Sequence, residues 1–259
     1  MYEGQALRKK LHAGEICLGT WIDTTDPCIV ELVCGSGYDF VIVDSEHGAL
    51  DIETIQQDLM ATKGSSVTPV VRVAWNDAVL IKRVLDAGAG GILVPMVRTG
   101  AEARQAVEAC LYPPSGIRGF GPRRPSNYER DAAEYIATAN DNVVIWVQIE
   151  HADAISNIDE IARTPRLDGM IVGSNDLSGS MGLLGQPRHP QVLAAIDRVI
   201  TAARAAGVPV GIAGPAEPQA AFKWLQKGMQ FITLSSVAGM LVEASEAAVQ
   251  GVRELCRSL

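Results

Sequence analysis

Hydrophobic positions along the chain occur in short continuous runs rather than in alternation with polar ones. The runs are rich in Val, Ile and Leu and are bounded by polar or glycine-containing segments. Continuous apolar runs of this length are typical of strands covered on both faces, as in a parallel sheet. We predict eight such strands, at residues 16–21, 40–43, 70–73, 92–95, 143–149, 170–172, 208–212 and 231–234.

Helical patterns separate these strands, with apolar side chains recurring every three or four residues. One of them begins at Asn76, a predicted N-cap, and ends at Gly88, a residue type that often terminates helices. We predict helices at residues 51–64, 76–91, 100–112, 152–165, 189–207, 215–228 and 240–256.

Eight strand–helix units in about 250 residues are the expected content of a (β/α)8 barrel. We therefore predict an α/β protein with a single TIM-barrel domain over residues 1–259. A doubly wound open sheet is the structural alternative. It would require a Gly-rich fingerprint after the first strand, and the sequence "LGTWIDTTD" there is not one.

One segment does not fit this alternation of predicted strands and helices. Residues 112–130, "YPPSGIRGFGPRRPSNYER", are rich in Pro, Gly and Arg. Loops of this length within compact domains are usually functional or disordered. Because the arginines do not suit a plain spacer, we favour a loop that covers a site or forms an interface.

Composition narrows the function classes. The chain has 259 residues, 47% of them hydrophobic, and a net charge of −8, which argues against a nucleic-acid or anionic-membrane surface. No run reaches the roughly 20 apolar residues of a membrane helix, and the start lacks a signal-peptide core. The five cysteines show no CxxC spacing. We expect a cytoplasmic protein with reduced thiols.

Polar residues gather where the predicted strands end. In a barrel of parallel strands all carboxyl ends converge on one face, and chemistry sits there. The strand-end residues that would share this face are Asp44, Glu46, His47, Arg72, Gln148, Glu150 and Asp176.

Three of these residues suggest specific chemistry. Arg72 lies within an apolar strand, where a guanidinium persists only if paired, either as a structural salt bridge or, as we favour, as an anion or enolate clamp. Glu150 and Asp176 are suitable ligands for Mg²⁺ or Mn²⁺, although acids that cap the following helices would look the same.

Two further features bear on the reaction. His47, beside acidic groups, is either a general base or an ordinary loop histidine, and the small residues of "VGSNDLSGSMG" can form an anion nest. None of the six lysines falls on a predicted strand end, so Schiff-base chemistry is not expected. His12 and His189 are interpreted as surface residues, and His151 as a residue of the rim.

Six blocks of sequence, in order, resemble the HpcH/HpaI aldolases, which are metal-dependent (class II) pyruvate aldolases. The blocks are "VDSEHG", "PVVRVAWND", "ILVPMV", "YPPSGIRGFGP", "VQIE" and "VGSNDLSGSMG", and the similarity extends from Gly19 to the last strand. The resemblance implies a (β/α)8 barrel that cleaves 4-hydroxy-2-oxo acids to pyruvate, or a hydroxypyruvate-like donor, and an aldehyde.

The resemblance also implies roles for individual residues. Glu150 and Asp176 would bind a divalent cation (Mg²⁺, Mn²⁺ or Co²⁺), with no organic cofactor. His47 would accept the proton together with a metal-bound water, Asp86 would raise the basicity of His47, and Arg72 would stabilise the developing oxyanion. The implied substrate contacts are Trp21, Arg72, Gln148, Gly173, Ser174, Asn175 and Asp176.

The implied assembly is a homohexamer, a trimer of dimers, in which the last helix packs on a neighbouring subunit. The implied partners are small molecules, a 2-oxo acid and an aldehyde, with no nucleic acid and no membrane. Ser174 stands where the family often has Pro, and "GIAGPAEP" replaces bulkier residues near the expected aldehyde end, so the aldehyde stays open. The alternatives are a carbon–carbon lyase for CoA thioesters and a catalytically silent ligand-binding oligomer.

Overall fold

The eight apolar runs form parallel strands that pair in chain order and close into a barrel. The structure is a computed structural model and describes residues 3–257. The predicted (β/α)8 barrel is confirmed, with strand ends within two residues of the expected ones. The strands are β1 Cys17–Ile22, β2 Phe40–Asp44, β3 Thr68–Arg72, β4 Gly91–Val94, β5 Val144–Ile149, β6 Gly169–Val172, β7 Val210–Gly214 and β8 Phe231–Ser236.

Helices connect the strands and surround the barrel. The predicted helix at 152–165 is divided in two, and the helices that precede β1, follow β1, precede β5 and follow β6 were not predicted. The helices are α1 Glu3–His12, α2 Pro27–Cys34, α3 Ile52–Ala61, α4 Ala78–Ala87, α5 Gly100–Cys110, α6 Ala132–Thr138, α7 Ala152–Ser156, α8 Ile158–Ala162, α9 Ser174–Ser180, α10 Pro190–Ala206, α11 Pro218–Gln226 and α12 Val237–Cys256, with a 3-10 turn at Ala139–Asp141.

The start of α4 corrects one prediction. Asp77, not Asn76, is the N-cap, because its side chain accepts hydrogen bonds from the backbone N–H groups of Val79 and Leu80. Asn76 instead donates to the carbonyl oxygen of Glu102 on the next helix. Gly88 ends α4 with φ of 102°, as predicted.

Aromatic side chains and α1 fill the barrel interior. The Trp146 and Phe231 rings stack with centroids 4.4 Å apart, and Phe40 meets Trp146 edge-on at 5.1 Å. Leu7 and Leu11 of α1 pack into the same buried cluster. This packing closes the amino-terminal end of the barrel, so the open end is the one where the strand carboxyl ends lie.

A polar network lies at the closed end. The buried carboxylate of Asp168 lies 2.6 Å from Nε of Arg8 and 3.2 Å from Nε2 of His12. His12 is a surface residue, as predicted, with its side chain 46% exposed, and it also contacts this buried carboxylate. His151 and His189 cap the amino termini of α7 and α10.

The segment 112–130 is folded against the barrel by two arginines. The buried guanidinium of Arg118 lies 2.7 Å from Asp86 and 4.4 Å from the ring centroid of Tyr112. Arg124 donates to the carbonyl oxygens of Ala87 and Leu59. The segment also leaves large apolar side chains exposed, namely Ile117, Phe120 and Tyr128. Its expected role as an interface or a site cover stays a prediction.

The last helix contributes no buried residue to the core. α12 begins at an N-cap, Ser236, and none of its residues is buried. Its exchange with a neighbouring subunit stays a prediction. The cysteines are free thiols, buried at Cys17, Cys34 and Cys110. Within residues 3–257 no helix has the length and apolar character needed to cross a membrane.

Candidate active site

The predicted strand-end residues lie at the open face of the barrel, and strand register brings two of them side by side. β2 and β3 pair so that Asp44 stands directly opposite Arg72. Both are the last residues of their strands, and both are buried although charged. Burial of a guanidinium requires an opposite charge, and the neighbouring strand supplies it.

Arg72 is held by a two-point ion pair. Its Nε lies 2.9 Å from Oδ1 of Asp44 and its Nη2 lies 2.6 Å from Oδ2. Trp21 covers the guanidinium plane at 4.4 Å from ring centroid to Cζ, and the indole N–H donates to Thr233 at 2.7 Å. The planar fork is therefore fixed in one orientation, as recognition of an oxyanion requires.

The remaining nitrogen of Arg72 faces the centre of the site. Nη1 lies 3.1 Å from Oε2 of Glu46 and 3.5 Å from Oε1 of Gln148. The structural and functional interpretations of Arg72 therefore both apply: one edge of the guanidinium is used by Asp44, and the other edge faces the polar groups of the site.

The pKa values of the two carboxylates beside Arg72 shift in opposite directions. Burial alone raises the pKa of Asp44, but the hydrogen bonds and charge of Arg72 outweigh burial and hold that pKa below its usual value. Burial raises the pKa of Glu46, and the charges of Arg72 and His47 offset it only in part. Arg72 therefore stabilises the charged form of Asp44 more than enough to offset burial, whereas it offsets the burial of Glu46 only in part.

Glu150 is buried at the end of β5. One oxygen accepts the backbone N–H of Met96 at 2.7 Å, and the other accepts the side-chain N–H of Gln148. Burial raises the pKa of Glu150 to about 7, with further contributions from the charges of Glu46 and Asp176. The alternative that Glu150 caps the following helix is wrong, because His151 caps α7.

Because Gly173 has no side chain, it leaves space for the side chains of Glu150 and Gln148. A Cβ atom at this position would lie 2.7 Å from Oε2 of Glu150 and 2.8 Å from Nε2 of Gln148. Asp176 follows in the first turn of α9 and is exposed toward solvent. Carboxylates are the ligand type that a hard divalent cation prefers. Among residues 3–257 no group of three or more His, Cys, Asp or Glu forms a complete metal cage.

His47 lies on the loop after β2, with its side chain 64% exposed and Nε2 4.0 Å from Oε2 of Glu46. Asp86, expected to assist His47, lies in the last turn of α4 and pairs with Arg118 instead. α4 leads away from the open face, so within one chain Asp86 lies at the opposite end of the barrel. A role for Asp86 at His47 would require a second chain and stays a prediction.

Two of the expected substrate contacts, Ser174 and Asn175, line a cavity of about 620 Å³. Ser174 and Asn175 begin α9, where backbone N–H groups have no partner within the helix. The cavity is also lined by Gly214 and Pro215 and by three charged side chains, Arg188, Glu217 and Lys223. The "GIAGPAEP" segment therefore lines part of this cavity.

Sequence reasoning placed Asp44 and Glu46 beside His47 at the end of β2, and the resemblance then gave the role of assisting His47 to Asp86 instead of either of them. The signal that identifies Asp44 is its register opposite Arg72, which only the paired strands show. Glu46 is identified by its position beside both Arg72 and His47. The backbone N–H of Met96, which holds Glu150, carries no sequence signal at all.

These features define a (β/α)8-barrel enzyme with a buried guanidinium and carboxylates at the open end of the barrel. A family model described as HpcH/HpaI aldolase/citrate lyase matches residues 18–244. The chain belongs to this family, and it is a carbon–carbon lyase of the aldolase type.

Individual relatives agree with this assignment. A 5-keto-4-deoxy-D-glucarate aldolase of Escherichia coli is 40% identical over 236 residues, which are 91% of this chain and 92% of the relative. The crystal structure of a family protein from Burkholderia cenocepacia has a TM-score of 0.93 at 34% identity, covering 96% of this chain and 99% of that chain. The citrate synthase SbnG has a TM-score of 0.87 at 28% identity, covering 97% and 98%.

Proposed function

We propose that this protein is a divalent-metal-dependent pyruvate aldolase. It cleaves 4-hydroxy-2-oxo acids to pyruvate, or a hydroxypyruvate-like donor, and an aldehyde. The observation that supports this proposal most directly is the buried guanidinium of Arg72, fixed by Asp44 and facing Gln148 and Glu46. A fixed donor fork of this kind suits the charge that develops on a keto oxygen when the carbon–carbon bond breaks.

Glu150 and Asp176 are the residues that would hold the cation, which we propose to be Mg²⁺, Mn²⁺ or Co²⁺. Burial raises the pKa of Glu150 to about 7, and a bound cation would stabilise its charged form. When bound, a divalent cation supplies Lewis acidity toward the keto and carboxylate oxygens of a 2-oxo acid. No organic cofactor is proposed.

Each step of the cleavage reaction is assigned to a residue of the chain. Gln148 and the first turn of α9 bind the carboxylate end of the 2-oxo acid. His47 accepts the proton of the C4 hydroxyl, and the oxygen electrons form the aldehyde carbonyl. The C3–C4 bond breaks, its electron pair stays on the pyruvate fragment as an enolate, and Arg72 donates hydrogen bonds to that oxyanion. A proton returned to C3 completes pyruvate.

The acceptor aldehyde is proposed to carry a carboxylate. The E. coli relative is named for a sugar diacid, and cleavage of such a substrate gives an aldehyde that keeps one carboxyl group. The cavity that Ser174 lines also contains Arg188, Glu217 and Lys223, and the net charge of these three side chains has the matching sign. We therefore propose 5-keto-4-deoxy-D-glucarate as the first substrate to assay.

The test combines exchange with cleavage. The protein is incubated with pyruvate in D₂O with Mn²⁺, Mg²⁺ or Co²⁺, and deuterium in the methyl group is followed by NMR. We expect exchange that stops in EDTA and returns with added metal, together with release of pyruvate from 5-keto-4-deoxy-D-glucarate. Full-rate exchange in thorough chelator would overturn the metal-dependent mechanism.

One alternative retains the fold with another substrate class. The family description includes citrate lyase, so a lyase acting on a CoA thioester is the second candidate. It would be favoured by acyl-CoA cleavage without pyruvate exchange. Metal binding with neither reaction would favour a silent ligand-binding oligomer.

We also propose a cytoplasmic homohexamer, a trimer of dimers, with small molecules as its other partners and neither nucleic acid nor membrane. The support is α12, a 20-residue helix with no buried residue and with exposed apolar side chains such as Leu241, Val249 and Val252. Large exposed apolar surfaces of this kind usually mark subunit contacts.

A further inference from the structure

We infer that Thr233 is a positioning residue of the site. Its buried hydroxyl holds the indole of Trp21 over the guanidinium of Arg72 and ties that indole to Gly214 at the end of β7. The inference rests on the proposed aldol chemistry and assigns a role to a residue that the proposed mechanism does not use.

Strand register places Thr233 between two walls of the site. On β8 it pairs with Gly19 of β1 on one side and with Ala213 of β7 on the other. Trp21 lies two residues beyond Gly19, and Gly214 directly follows Ala213, so both lie toward the open end of the barrel. One side chain of β8 therefore reaches both neighbouring strands.

The hydroxyl oxygen of Thr233 accepts two hydrogen bonds. The indole Nε1–H of Trp21 donates to it across 2.7 Å, and the backbone N–H of Gly214 donates to it across 3.3 Å. A hydroxyl oxygen has two lone pairs, and these two donors use both. Thr233 is fully buried, so bulk water does not reach this oxygen.

The bond to Trp21 determines how the indole lies on Arg72. The ring covers the guanidinium at 4.4 Å from its centroid to Cζ, while Asp44 binds one edge of the same group. The hydrogen bond and the stacking both depend on the plane of the indole, so rotation of the ring weakens both together. Thr233 therefore acts on the oxyanion-stabilising group through Trp21, without touching the substrate.

The bond to Gly214 acts on the cavity proposed for the aldehyde. β7 ends at Gly214, which lines this cavity together with Pro215 and Glu217 of the following segment. Because the backbone N–H of Gly214 is bound to the same hydroxyl, the start of that segment is positioned from Thr233. One buried oxygen thus connects the oxyanion side of the site with its aldehyde side.

The kinetic test is Thr233→Val, which keeps the branched shape and removes the hydroxyl, with Thr233→Ser as the variant that keeps the hydroxyl. We expect kcat for retro-aldol cleavage to fall about 10-fold in Thr233→Val and to stay within about threefold in Thr233→Ser. In the synthetic direction, KM for the aldehyde should rise about fivefold in Thr233→Val, with KM for pyruvate unchanged. Thr233→Ala serves the same comparison should the valine variant not fold.

Thr62→Val is the matched control. Thr62 is fully buried at the end of α3, and its hydroxyl donates to the carbonyl oxygen of Leu59. The substitution removes a buried hydroxyl of the same kind at a distance from the open face. We expect it to leave kcat and both KM values unchanged.

A double-mutant cycle separates action through Trp21 from a general loss of packing. Trp21→Phe keeps an aromatic ring and removes the indole N–H. In that background, adding Thr233→Val should lower kcat by less than about twofold, because the bond that it removes is already absent. A further 10-fold fall there would mean that Thr233 acts by another route, and the inference would fail.

Hydrogen exchange gives a measurement that does not depend on turnover. The protein is labelled with [15N]tryptophan, and the indole resonance of Trp21 is assigned by its loss in Trp21→Phe. We expect this N–H to exchange with D₂O at least about 10-fold faster in Thr233→Val than in the original protein or in Thr62→Val. If the original protein lacks aldolase activity, the proposed function fails, and this comparison still decides whether Thr233 holds the ring.

Two further results would overturn the inference. The first is a Thr233→Val enzyme whose kcat stays within threefold of an active original protein. The second is an equal loss of kcat in Thr233→Ser and Thr233→Val with a similar fall in melting temperature, because packing rather than the hydroxyl would then be responsible. Unchanged exchange of the Trp21 indole in Thr233→Val would likewise show that another group holds the ring.

Discussion

Arg72 is the residue on which the proposed chemistry depends most. We expect Arg72→Lys to lower kcat about 100-fold, or ~3 kcal/mol of transition-state stabilisation, because an ammonium group cannot make the two-point contact with Asp44 and also face the substrate. Lysine keeps the positive charge, so Asp44 and Glu46 do not become buried unpaired anions. The variant therefore tests geometry rather than charge.

The measurement is steady-state kinetics at saturating metal, with Arg104→Lys on the exposed face of α5 as control. An Arg72→Lys enzyme with kcat close to the original would mean that a point charge suffices, and the oxyanion role of the guanidinium would be lost.

Single residues also show how far the sequence alone leads. Arg72 and Glu150 were identified because charged residues at the ends of apolar strands are unusual. Their partners were not, because strand register and the approach of the Met96 backbone arise only from long-range pairing. Asp86 was expected near His47, yet it lies in the last turn of α4 and therefore at the other end of the barrel.

Asp58 offers a prediction about stability. Its side chain is fully buried on α3, and neither carboxylate oxygen has a hydrogen-bond partner within residues 3–257. Burial raises the pKa of Asp58 to about 6, above the ~3.9 expected in the unfolded chain. The folded state therefore binds the proton more tightly, so this group costs stability as pH rises from about 4 through 6, and the cost is constant above that.

We expect Asp58→Asn to stabilise the fold by about 2 kcal/mol at pH 8, with the difference from the original protein narrowing by about 1 kcal/mol at pH 5. The check is urea unfolding at both pH values and one protein concentration, with the exposed Asp141→Asn as control. A pH-independent effect, or destabilisation at pH 8, would mean that Asp58 has a partner in the assembled protein.

At the scale of elements, the end of β6 determines whether the metal site can form. Gly173 has φ of −95°, so alanine is compatible with the backbone, but its Cβ would lie 2.7 Å from Oε2 of Glu150. The three nearest atoms belong to side chains, Oε2 and Cβ of Glu150 and Nε2 of Gln148, and none belongs to the backbone. We expect Gly173→Ala to keep the barrel and its melting temperature while lowering Mn²⁺ affinity at least ~10-fold.

Isothermal titration with Mn²⁺ measures this effect. Gly251→Ala is the matched control, since a Cβ there meets no atom within 4 Å and sits within α12. That control should keep metal affinity and gain about 0.5–1 kcal/mol of stability. Unchanged Mn²⁺ affinity in Gly173→Ala would place the metal away from Glu150.

A helix or strand could be predicted from the sequence where its own residues carry the hydrophobic pattern of that element. The eight strands were found because each is a continuous apolar run, whereas α9 was missed because "SNDLSGS" has little helix propensity and is held by the end of β6. The first helix was missed for a related reason. Its apolar residues Leu7 and Leu11 pack against the aromatic side chains inside the barrel, and this contact forms only when the barrel is complete.

At the scale of the whole molecule, α12 presents apolar side chains that the rest of its own chain does not cover. Four of its apolar side chains, Leu241, Val242, Val249 and Val252, are 50% to 66% exposed. At 100° per residue they fall on one stripe about 100° wide, the signature of a helix that packs against another surface. The barrel core is complete without this helix, so the surface that covers it should belong to a second chain.

We therefore expect a hexamer that a charge on this stripe disrupts. Val252→Glu combined with Val249→Glu should give smaller species by light scattering, because burying two carboxylates at an apolar contact is unfavourable. Ala247→Glu introduces the same residue on the opposite side of α12 and should leave the mass unchanged. If both variants keep the original mass, the stripe lies outside the contact. If the original protein is monomeric at every concentration, no chain is exchanged and the exposed stripe needs another partner.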